Sequence, residues 1–447
     1  MLTAHQARTS LIFGAAGAAL IAALALTPRP EPSDTCAMSS DILTAKLTSQ
    51  KILAGDHEQD IAVTIRMPKG RAQARPPLSL AIVIDRSGSM EGEPLANAKA
   101  AAAQLVDQLS TSDAFTVITY SSSVETVVPM TRATAGTKAA ARDAIAQIND
   151  DGNTCISCGI EQGAAELARS PVIGGLSRMV LISDGQANTG LYDRNELAQL
   201  ATETAARGVS ISTIGVGLDF DEVTMTRLAD VGHGHYYFVE DTAKLADMFR
   251  EELDGMTETV AADVRLVVQG INANVLEAYG YPIVRGREDV VIPVADLRAG
   301  ETRKVVLRVH IPTAETGSLE VARFTLDWRR VSDGRADQAR TNLVTTLTKD
   351  LREVATTIDR NAVNAIETAR TARVLEDAAH TYETQGAEAA QRVIERHMRE
   401  VRDNKYIDAP AAQAIERASS GATSNFAKAP PAKAMKATRM DAYDLAR

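Results

Sequence analysis

Between residues 78 and 256, short apolar runs alternate with stretches whose apolar residues recur every three or four positions. The run at 78–84, LSLAIVI, is rich in β-branched residues, which is typical of a strand buried on both faces of a parallel sheet. The alternation predicts an α/β domain with a doubly wound, mostly parallel sheet and helices on both faces. The predicted strands are 78–84, 115–120, 124–128, 179–183, 209–216 and 235–239, and the predicted helices are 95–109, 138–148, 156–168, 196–206 and 243–254.

The segments on either side of this domain show strict alternation of apolar and polar residues instead. Residues 61–67 alternate in this way, and near the end of a second such region Phe324, Leu326 and Trp328 share one face of a strand. The strands before residue 68 have no neighbouring strand in sequence, so we expect them to pair with strands after residue 260. The sequence therefore predicts a discontinuous β-sandwich, formed by residues 41–72 and 260–348, with the domain at 78–256 inserted into it.

Helical patterns return after the strands. Residues 363–384 and 387–401 carry two narrow apolar stripes on either side of Gly386, which predicts a helical hairpin within residues 350–403. The last segment, 419–447, consists mostly of small residues, contains prolines and is mildly basic. That composition predicts a disordered tail.

An uninterrupted apolar run occupies residues 11–26 near the N-terminus. Its length fits the core of a cleaved signal peptide at 1–27, and an uncleaved N-terminal membrane anchor is the alternative. Residues 28–40 then form a linker. In both cases we expect the remaining chain to be exported, either to the periplasm, to the cell surface or into the medium, and possible anchoring would be at the inner membrane.

The overall charge narrows the choice of partners. The 447 residues include 48 Lys and Arg against 58 Asp and Glu, which gives a formal net charge of −10. Nucleic acid is therefore not expected to be the partner, because binding to phosphates is driven by clustered positive charge.

The length of the chain is sufficient for several domains with sizeable cores.

Three cysteines, Cys36, Cys155 and Cys158, are present. In an exported protein they allow one disulfide and one free thiol. The Cys155–Ile156–Ser157–Cys158 spacing also occurs in thiol–disulfide oxidoreductases. No thioredoxin-like βαβ pattern surrounds it, so a structural disulfide or a buried pair is the favoured interpretation. A bridge here would stiffen the loop that contains Thr154.

Oxygen-bearing side chains follow the first strand of the parallel-sheet domain. Asp85, Ser87 and Ser89 stand at alternate positions, and Gly88 allows the loop to turn tightly. Such an all-oxygen cluster suits a hard divalent cation. Thr154 lies in a later loop, and Asp184 ends the strand at 179–183. In a sheet with strand order 3-2-1-4-5-6, the strand order reverses between the Asp85 and Asp184 strands, where ligands bind.

These three segments, DRSGSM, GNT and SDGQ, resemble the metal-ion-dependent adhesion site of the von Willebrand factor type A family. The resemblance covers residues 78–256. It implies Mg²⁺, or Mn²⁺ or Ca²⁺, bound by oxygens of Ser87, Ser89 and Thr154, with Asp85 and Asp184 acting directly or through water. An acidic side chain of a protein partner would then supply the sixth ligand. The alternative is that the turn only caps a helix and binds no metal.

The arrangement of an inserted domain between flanking strands is similar to that of bacterial relatives of the inter-alpha-trypsin inhibitor heavy chains, on stretches such as LAG at 53–55 and LRAGE at 297–301. No catalytic signature is visible, so we expect a non-enzymatic, metal-dependent protein-binding module. The alternatives are a redox-gated or thiol-exchange protein that uses Cys155 and Cys158, and a structural scaffold of the envelope. His233 and His235 are more simply explained by a turn that enters a strand than by a zinc site.

Overall fold

A computed structural model describes residues 39–69, 77–170, 172, 175–184, 187–216, 221–239, 258–313 and 315–446. The predicted signal peptide or anchor, the start of the predicted linker, and the predicted helix at 243–254 lie outside these residues. Within the described part, no helix is both long and apolar enough to cross a membrane.

The inserted domain is built around a six-stranded sheet. Its strands are β4 (Leu78–Asp85), β5 (Ala114–Tyr120), β6 (Val124–Arg132), β7 (Leu176–Ser183), β8 (Val209–Val216) and β9 (His233–Val239). The order is β6-β5-β4-β7-β8-β9, with β6 antiparallel to β5 and all other neighbours parallel. The predicted parallel α/β sheet is therefore confirmed, and the strand order reverses between β4 and β7.

Helices cover both faces of this sheet. They are α2 (Glu93–Gln108), α3 (Ala135–Ala146), α4 (Ile156–Leu167), α5 (Arg194–Ala206) and α6 (Glu222–Val231). Leu80, Ile82 and Ile84 of β4 pack in one core cluster with α2 and α3. Ala81 and Val83 pack on the opposite face with α4, α5 and α6. The apolar run of β4 is thus buried on both sides, which is why it shows no alternation.

Strands from both sides of the inserted domain form the β-sandwich. Before the domain lie the short helix α1 (Ser39–Ile42) and the strands β1 (Leu43–Leu47), β2 (Lys51–Leu53) and β3 (Gly55–Arg66). After it lie β10 (Thr259–Gly270), β11 (Asn274–Ala278), β12 (Val284–Arg285), β13 (Val290–Pro293), β14 (Leu297–Arg298), β15 (Thr302–Thr313), β16 (Gly317–Arg330) and β17 (Ala336–Thr348).

The pairing of these strands confirms the predicted insertion. One sheet has the order β1-β3-β15-β11, so β3 pairs with a strand about 240 positions later in the chain. The other has the order β12-β13-β10-β16-β17-β2, with β14 added beside β10. Phe324, Leu326 and Trp328 of β16 contribute together to the core between the sheets, as their shared face predicts.

The C-terminal region is entirely helical from residue 409 to 428 and again from 431 to 446, which corrects the predicted disordered tail. Its helices are α7 (Leu351–Thr356), α8 (Arg360–Gln385), α9 (Ala387–Asp403), α10 (Ala409–Lys428) and α11 (Pro431–Ala446). Helices α8 and α9 form the predicted hairpin around Gly386, whose φ is 85°.

The last two helices are ordered by packing that their composition conceals. In α10, Ile415, Ser419, Ala422 and Phe426 are buried at helical spacing. In α11 the buried stripe consists of small residues four positions apart, which allow close approach to neighbouring helices; they are Ala434, Thr438, Ala442 and Ala446. Pro410 and Pro431 lie in the first turns of these helices, where proline is tolerated. The small residues and prolines that suggested disorder therefore have structural roles.

Candidate functional site

The carboxyl ends of β4 and β7 place Asp85 and Asp184 at the same edge of the sheet. The two strands are parallel neighbours, in register from Leu78 with Leu176 to Ile84 with Ile182. The Ser183 hydroxyl donates a hydrogen bond of 2.6 Å to Oδ2 of Asp85, which joins the two strand ends directly. Ser183 was not among the predicted site residues, because in the sequence it is only the last residue of the predicted strand at 179–183.

The turn after β4 brings its hydroxyl groups to the same place. The backbone N–H of Ser87 donates to Oδ1 of Asp85 at 2.8 Å, so both carboxylate oxygens accept hydrogen bonds. The hydroxyls of Ser87 and Ser89 lie 3.1 Å apart, and Ser89 donates to Oδ1 of Asp184 at 3.0 Å. Asp85, Ser87, Ser89 and Asp184 are thus connected by direct contacts, of which the one between Asp85 and Ser87 involves the Ser87 backbone.

The loop before α4 docks on this turn through its backbone. The N–H of Gly88 donates to the carbonyl oxygen of Gly152 at 2.9 Å, and the N–H of Asp151 donates to the carbonyl of Arg86 at 2.6 Å. A β-carbon at position 88 would lie 3.5 Å from the Gly152 oxygen, so the two loops run close together. Thr154, two residues after Gly152, is 3% exposed.

Thr154 is also tied to the loop that follows Asp184. Its N–H donates to Oδ1 of Asn188 at 2.8 Å, and its carbonyl accepts the N–H groups of Asn188 and Thr189 at 3.0 and 3.3 Å. The three predicted loops are therefore linked in pairs at one edge of the sheet. Asn188 was missed by sequence reasoning, since a polar residue in a loop gives no pattern from which this role could be inferred.

Both carboxylates of the cluster are buried. Asp85 is fully buried and Asp184 is 7% exposed. Burial raises the pKa of Asp85, and hydrogen bonds from Ser183 and Ser87 act against this effect. Burial, followed by the charge of Asp85, raises the pKa of Tyr120 well above its ordinary value. A buried carboxylate is costly to ionise, and a cation beside it would stabilise the ionised form.

The donor set fits a hard divalent ion. The predicted donors are two carboxylates and three hydroxyls, all oxygen ligands of the kind that Mg²⁺ takes. Asp85, Ser87, Ser89 and Asp184 are joined by direct contacts, and Thr154 is brought to the same edge by the backbone contacts of its loop. Because both oxygens of Asp85 already accept hydrogen bonds from the protein, this residue suits a contact through water. Across the described residues, no group of three or more His, Cys, Asp or Glu side chains is arranged to hold a metal ion. Any ion at this edge would therefore depend on the hydroxyls.

Cys155 and Cys158 form a disulfide at the start of α4, with their Cα atoms 5.3 Å apart. The sequence favoured a turn that enters a strand over a zinc site for the two histidines. His233 and His235 lie on β9, and the polar contact of His233 is with Asp263, 3.9 Å from Nδ1.

Comparison with known proteins agrees with this fold. The family model of the von Willebrand factor type A domain matches residues 79–251. The protein YfbK of Escherichia coli is 28% identical over 211 residues, which is 47% of this chain and 36% of YfbK. The human inter-alpha-trypsin inhibitor heavy chain H2 is 26% identical over 186 residues, 40% of this chain and 20% of the heavy chain. The chain thus spans about a third or less of the length of these relatives.

A solved structure extends the similarity beyond the inserted domain. The von Willebrand factor type A protein from Catenulispora acidiphila superposes with a TM-score of 0.68 at 19% identity, covering 91% of this chain and 95% of that one. The sandwich and the C-terminal helices thus belong to a fold that the two proteins share. From the family match, the strand order and the three linked loops, we conclude that residues 79–251 are a von Willebrand factor type A domain.

Proposed function

We propose that this protein binds a divalent cation, in the first place Mg²⁺, and through it an acidic side chain of a partner protein. Asp85, Ser87, Ser89, Thr154 and Asp184 would hold the ion. The observation that carries the proposal is the direct contact of Ser89 with both Ser87 and Asp184, which brings oxygens of two loops together at the switch point of the sheet. Type A domains often bind a divalent ion and commonly mediate protein–protein interactions.

The composition of the donor set explains why a partner carboxylate would be attracted. Three of the five groups are neutral hydroxyls, and Asp85, whose two oxygens already accept hydrogen bonds, suits a contact through water, so few charged oxygens would touch the ion directly. Mg²⁺ prefers six oxygen ligands in near-octahedral geometry. A site of this kind retains positive charge toward solvent, which favours an anionic sixth ligand. Binding in this way needs no bond to be made or broken, and we propose a binding protein rather than an enzyme.

We further propose that the protein works outside the cytoplasm. The apolar run at 11–26 supports export, whether as a cleaved signal or as an anchor. The Cys155–Cys158 disulfide supports it as well, since such bonds persist in oxidising compartments.

A measurement of Mg²⁺ binding tests whether the predicted residues hold the ion. Asp184→Asn removes the negative charge of the carboxylate that contacts Ser89 and keeps its size. We expect isothermal calorimetry to show a Kd for Mg²⁺ raised about tenfold or more in this variant. Asp150→Asn is the matched control, because Asp150 is an exposed acidic residue on the loop after α3. Equal Mg²⁺ affinity in the two variants would contradict the assignment of Asp184.

Capture of a partner tests whether the ion mediates binding to another protein. Immobilised protein should retain an envelope protein in Mg²⁺ and release it in EDTA, and the Asp184→Asn variant should not retain it. The released partner should then lose binding when a particular Asp or Glu is changed to Asn or Gln. Retention that is the same with Mg²⁺ and with EDTA would rule out the metal-bridged mode of binding.

A further inference from the structure

The Cys155–Cys158 disulfide lies immediately behind the predicted ligand Thr154. Cys155 follows Thr154 in sequence and occupies the position before the first residue of α4. The disulfide joins it to the third residue of the helix, so the first turn of α4 is closed covalently. Cys155 is fully buried, whereas Cys158 is only partly buried.

The disulfide also packs against the loop that follows Asp184. Gly190 has a φ of 72°, and a β-carbon built on it would lie 2.5 Å from Sγ of Cys155 and 2.6 Å from Oγ of Ser157. The backbone at position 190 therefore rests directly on the bridged sulfur. The Ser157 hydroxyl accepts a hydrogen bond of 3.0 Å from the N–H of Leu191, so the residue after Gly190 is also bound to the first turn of α4.

This packing supports the bonds that place Thr154. Asn188, two residues before Gly190, exchanges hydrogen bonds with both the N–H and the carbonyl of Thr154. The loop at 187–191 is thus held between Thr154 on one side and the disulfide on the other. Two sulfurs that are not bonded must move apart beyond the bonded distance of about 2.05 Å. Gly190 leaves no free space beside Cys155, so separating the sulfurs requires this loop or the first turn of α4 to move.

From these contacts we infer that the Cys155–Cys158 disulfide positions two of the three loops of the metal site, so that its reduction by a dithiol weakens Mg²⁺ binding. This inference rests on the proposed function. A thiolate of the dithiol attacks Sγ of Cys158, the more exposed sulfur, and the disulfide breaks with Cys155 leaving as a thiol after protonation. The second thiol of the reductant then displaces Cys158, which also becomes a thiol. Two electrons and two protons pass to the protein, and the reductant ends as a disulfide.

The test compares the oxidised and the reduced forms of the full chain in a Cys36→Ser background, which excludes exchange with the third cysteine. Calorimetry with Mg²⁺ alone should give a Kd about tenfold higher after reduction with dithiothreitol, and reoxidation should restore the original value. In EDTA, hydrogen exchange should become faster in residues 152–158 and 187–191 after reduction. This second measurement does not depend on the metal.

Two variants separate positioning from a general loss of stability. Cys155→Ala combined with Cys158→Ala removes the bridge and should bind Mg²⁺ as weakly as the reduced protein. Thr134→Ala weakens the cap of α3 near the amino end of β5, at the opposite edge of the sheet from these loops, and should lower the stability of the domain without changing the Kd for Mg²⁺. If this control weakens Mg²⁺ binding as much as reduction does, the disulfide has no positioning role.

The outcomes distinguish this inference from the function on which it rests. If the oxidised protein takes up no Mg²⁺, the proposed function fails and the inference fails with it. If the oxidised and reduced proteins bind Mg²⁺ equally and exchange hydrogen equally at 152–158 and 187–191, only the inference is overturned.

Discussion

The type A domain and the C-terminal helices α10 and α11 are both rich in alanine, serine and threonine, yet they are stabilised by contacts of different range. In the type A domain, the Ala-rich helix α2 packs on the neighbouring strand β4, and its apolar stripe is visible in the sequence. The buried stripe of α10 contains only two large side chains, Ile415 and Phe426, and α11 contacts residues more than 200 positions earlier in the chain. A pattern that is visible locally therefore predicted the first region and not the second.

Several distant contacts of α11 are with the edge of the type A domain. Arg439 forms an ion pair of 3.1 Å with Glu222, whose carboxylate lies at the start of α6. The Tyr443 hydroxyl accepts the N–H of Tyr236 on β9 at 3.4 Å, and the two rings meet edge to face. The ammonium of Lys436 lies 5.7 Å from the centre of the Phe238 ring. The last helix thus joins the helical region to the strand at the edge of the parallel sheet.

The largest effect on stability is expected in the core of the C-terminal helices, which include the segment that the sequence predicted to be disordered. Phe426 is 3% exposed and stacks on Tyr382 of α8 with 4.7 Å between ring centres. Phe426→Ala should therefore reduce the free energy of unfolding by about 3 kcal/mol, measured by urea denaturation. Ser424→Ala, on the exposed face of the same helix, is the control and should change it by less than about 0.5 kcal/mol. A Phe426→Ala variant as stable as this control would support the original expectation of a disordered tail.

The next effect concerns the contact between the two regions. Arg439→Ala leaves the carboxylate of Glu222, which is 5% exposed, without its cation and should cost about 2 kcal/mol. Burial raises the pKa of Glu222 and the charge of Arg439 lowers it, so the variant should raise this pKa further. Thermal unfolding of the variant is the measurement.

Two matched variants make the Arg439 result specific. Glu222→Gln in the Arg439→Ala background removes the uncompensated charge and should recover part of the lost stability. Arg373→Ala removes an exposed arginine that pairs with Glu376 within α8, and it should cost less than about 0.5 kcal/mol. Equal losses for Arg439→Ala and Arg373→Ala would mean that α11 gains nothing from its contact with α6.

Much of the candidate site could be predicted because its residues follow directly from the ends of strands. Asp85 and Asp184 each end an apolar run, and topology alone brings the ends of adjacent parallel strands together. Asn188 and Gly190 could not be found in this way. Their roles depend on the packing of the loop at 187–191 against Thr154 and the disulfide. This packing involves residues more than 30 positions apart in the chain.

In the fold, too, some features could be predicted from the sequence and others depended on contacts between distant residues. The insertion of the type A domain was predictable, because strands without local partners must pair elsewhere in the chain. The helices α10 and α11 were not predicted from composition, although Ile415, Ala422 and Phe426 follow helical spacing. That stripe contains only two large side chains. The sequence does not reveal the partners, such as Glu222 and Tyr236, that stabilise α11.

A smaller effect should come from a helix end inside the type A domain, where the stabilising contact is local. The Thr134 hydroxyl accepts the N–H of Thr137, and the Thr137 side chain accepts the N–H of Thr134, so the start of α3 has a reciprocal cap. Thr134→Ala should cost about 1 kcal/mol in urea denaturation. Thr134→Ser keeps the hydroxyl and should restore most of this loss. A loss as large as that of Phe426→Ala would contradict the view that this contact acts only locally.

The smallest effect is a pH dependence of stability that arises from His397 in the helical region. His397 of α9 is 7% exposed, and its Nε2 lies 2.7 Å from the hydroxyl of Thr371 on α8. That hydroxyl donates its proton to the carbonyl of Glu367, so its oxygen is left to accept the N–H of His397. Burial lowers the pKa of His397, although the nearby charge of Glu400 opposes the change. The folded state therefore favours the neutral imidazole.

The direction of the pH effect follows from proton binding. The unfolded chain has a histidine pKa of about 6.5, so below that pH it binds more protons at this position than the folded protein does. The contribution of His397 to stability is thus present above about pH 6.5 and declines as the pH falls toward the lowered pKa of the folded state. His397→Gln retains a donor for Thr371 but does not titrate. Between pH 7.5 and 5, urea denaturation should show a stability loss for the wild type that exceeds the loss for His397→Gln. If the two proteins lose stability in parallel, the neutral form of His397 does not contribute to the packing of α8 against α9.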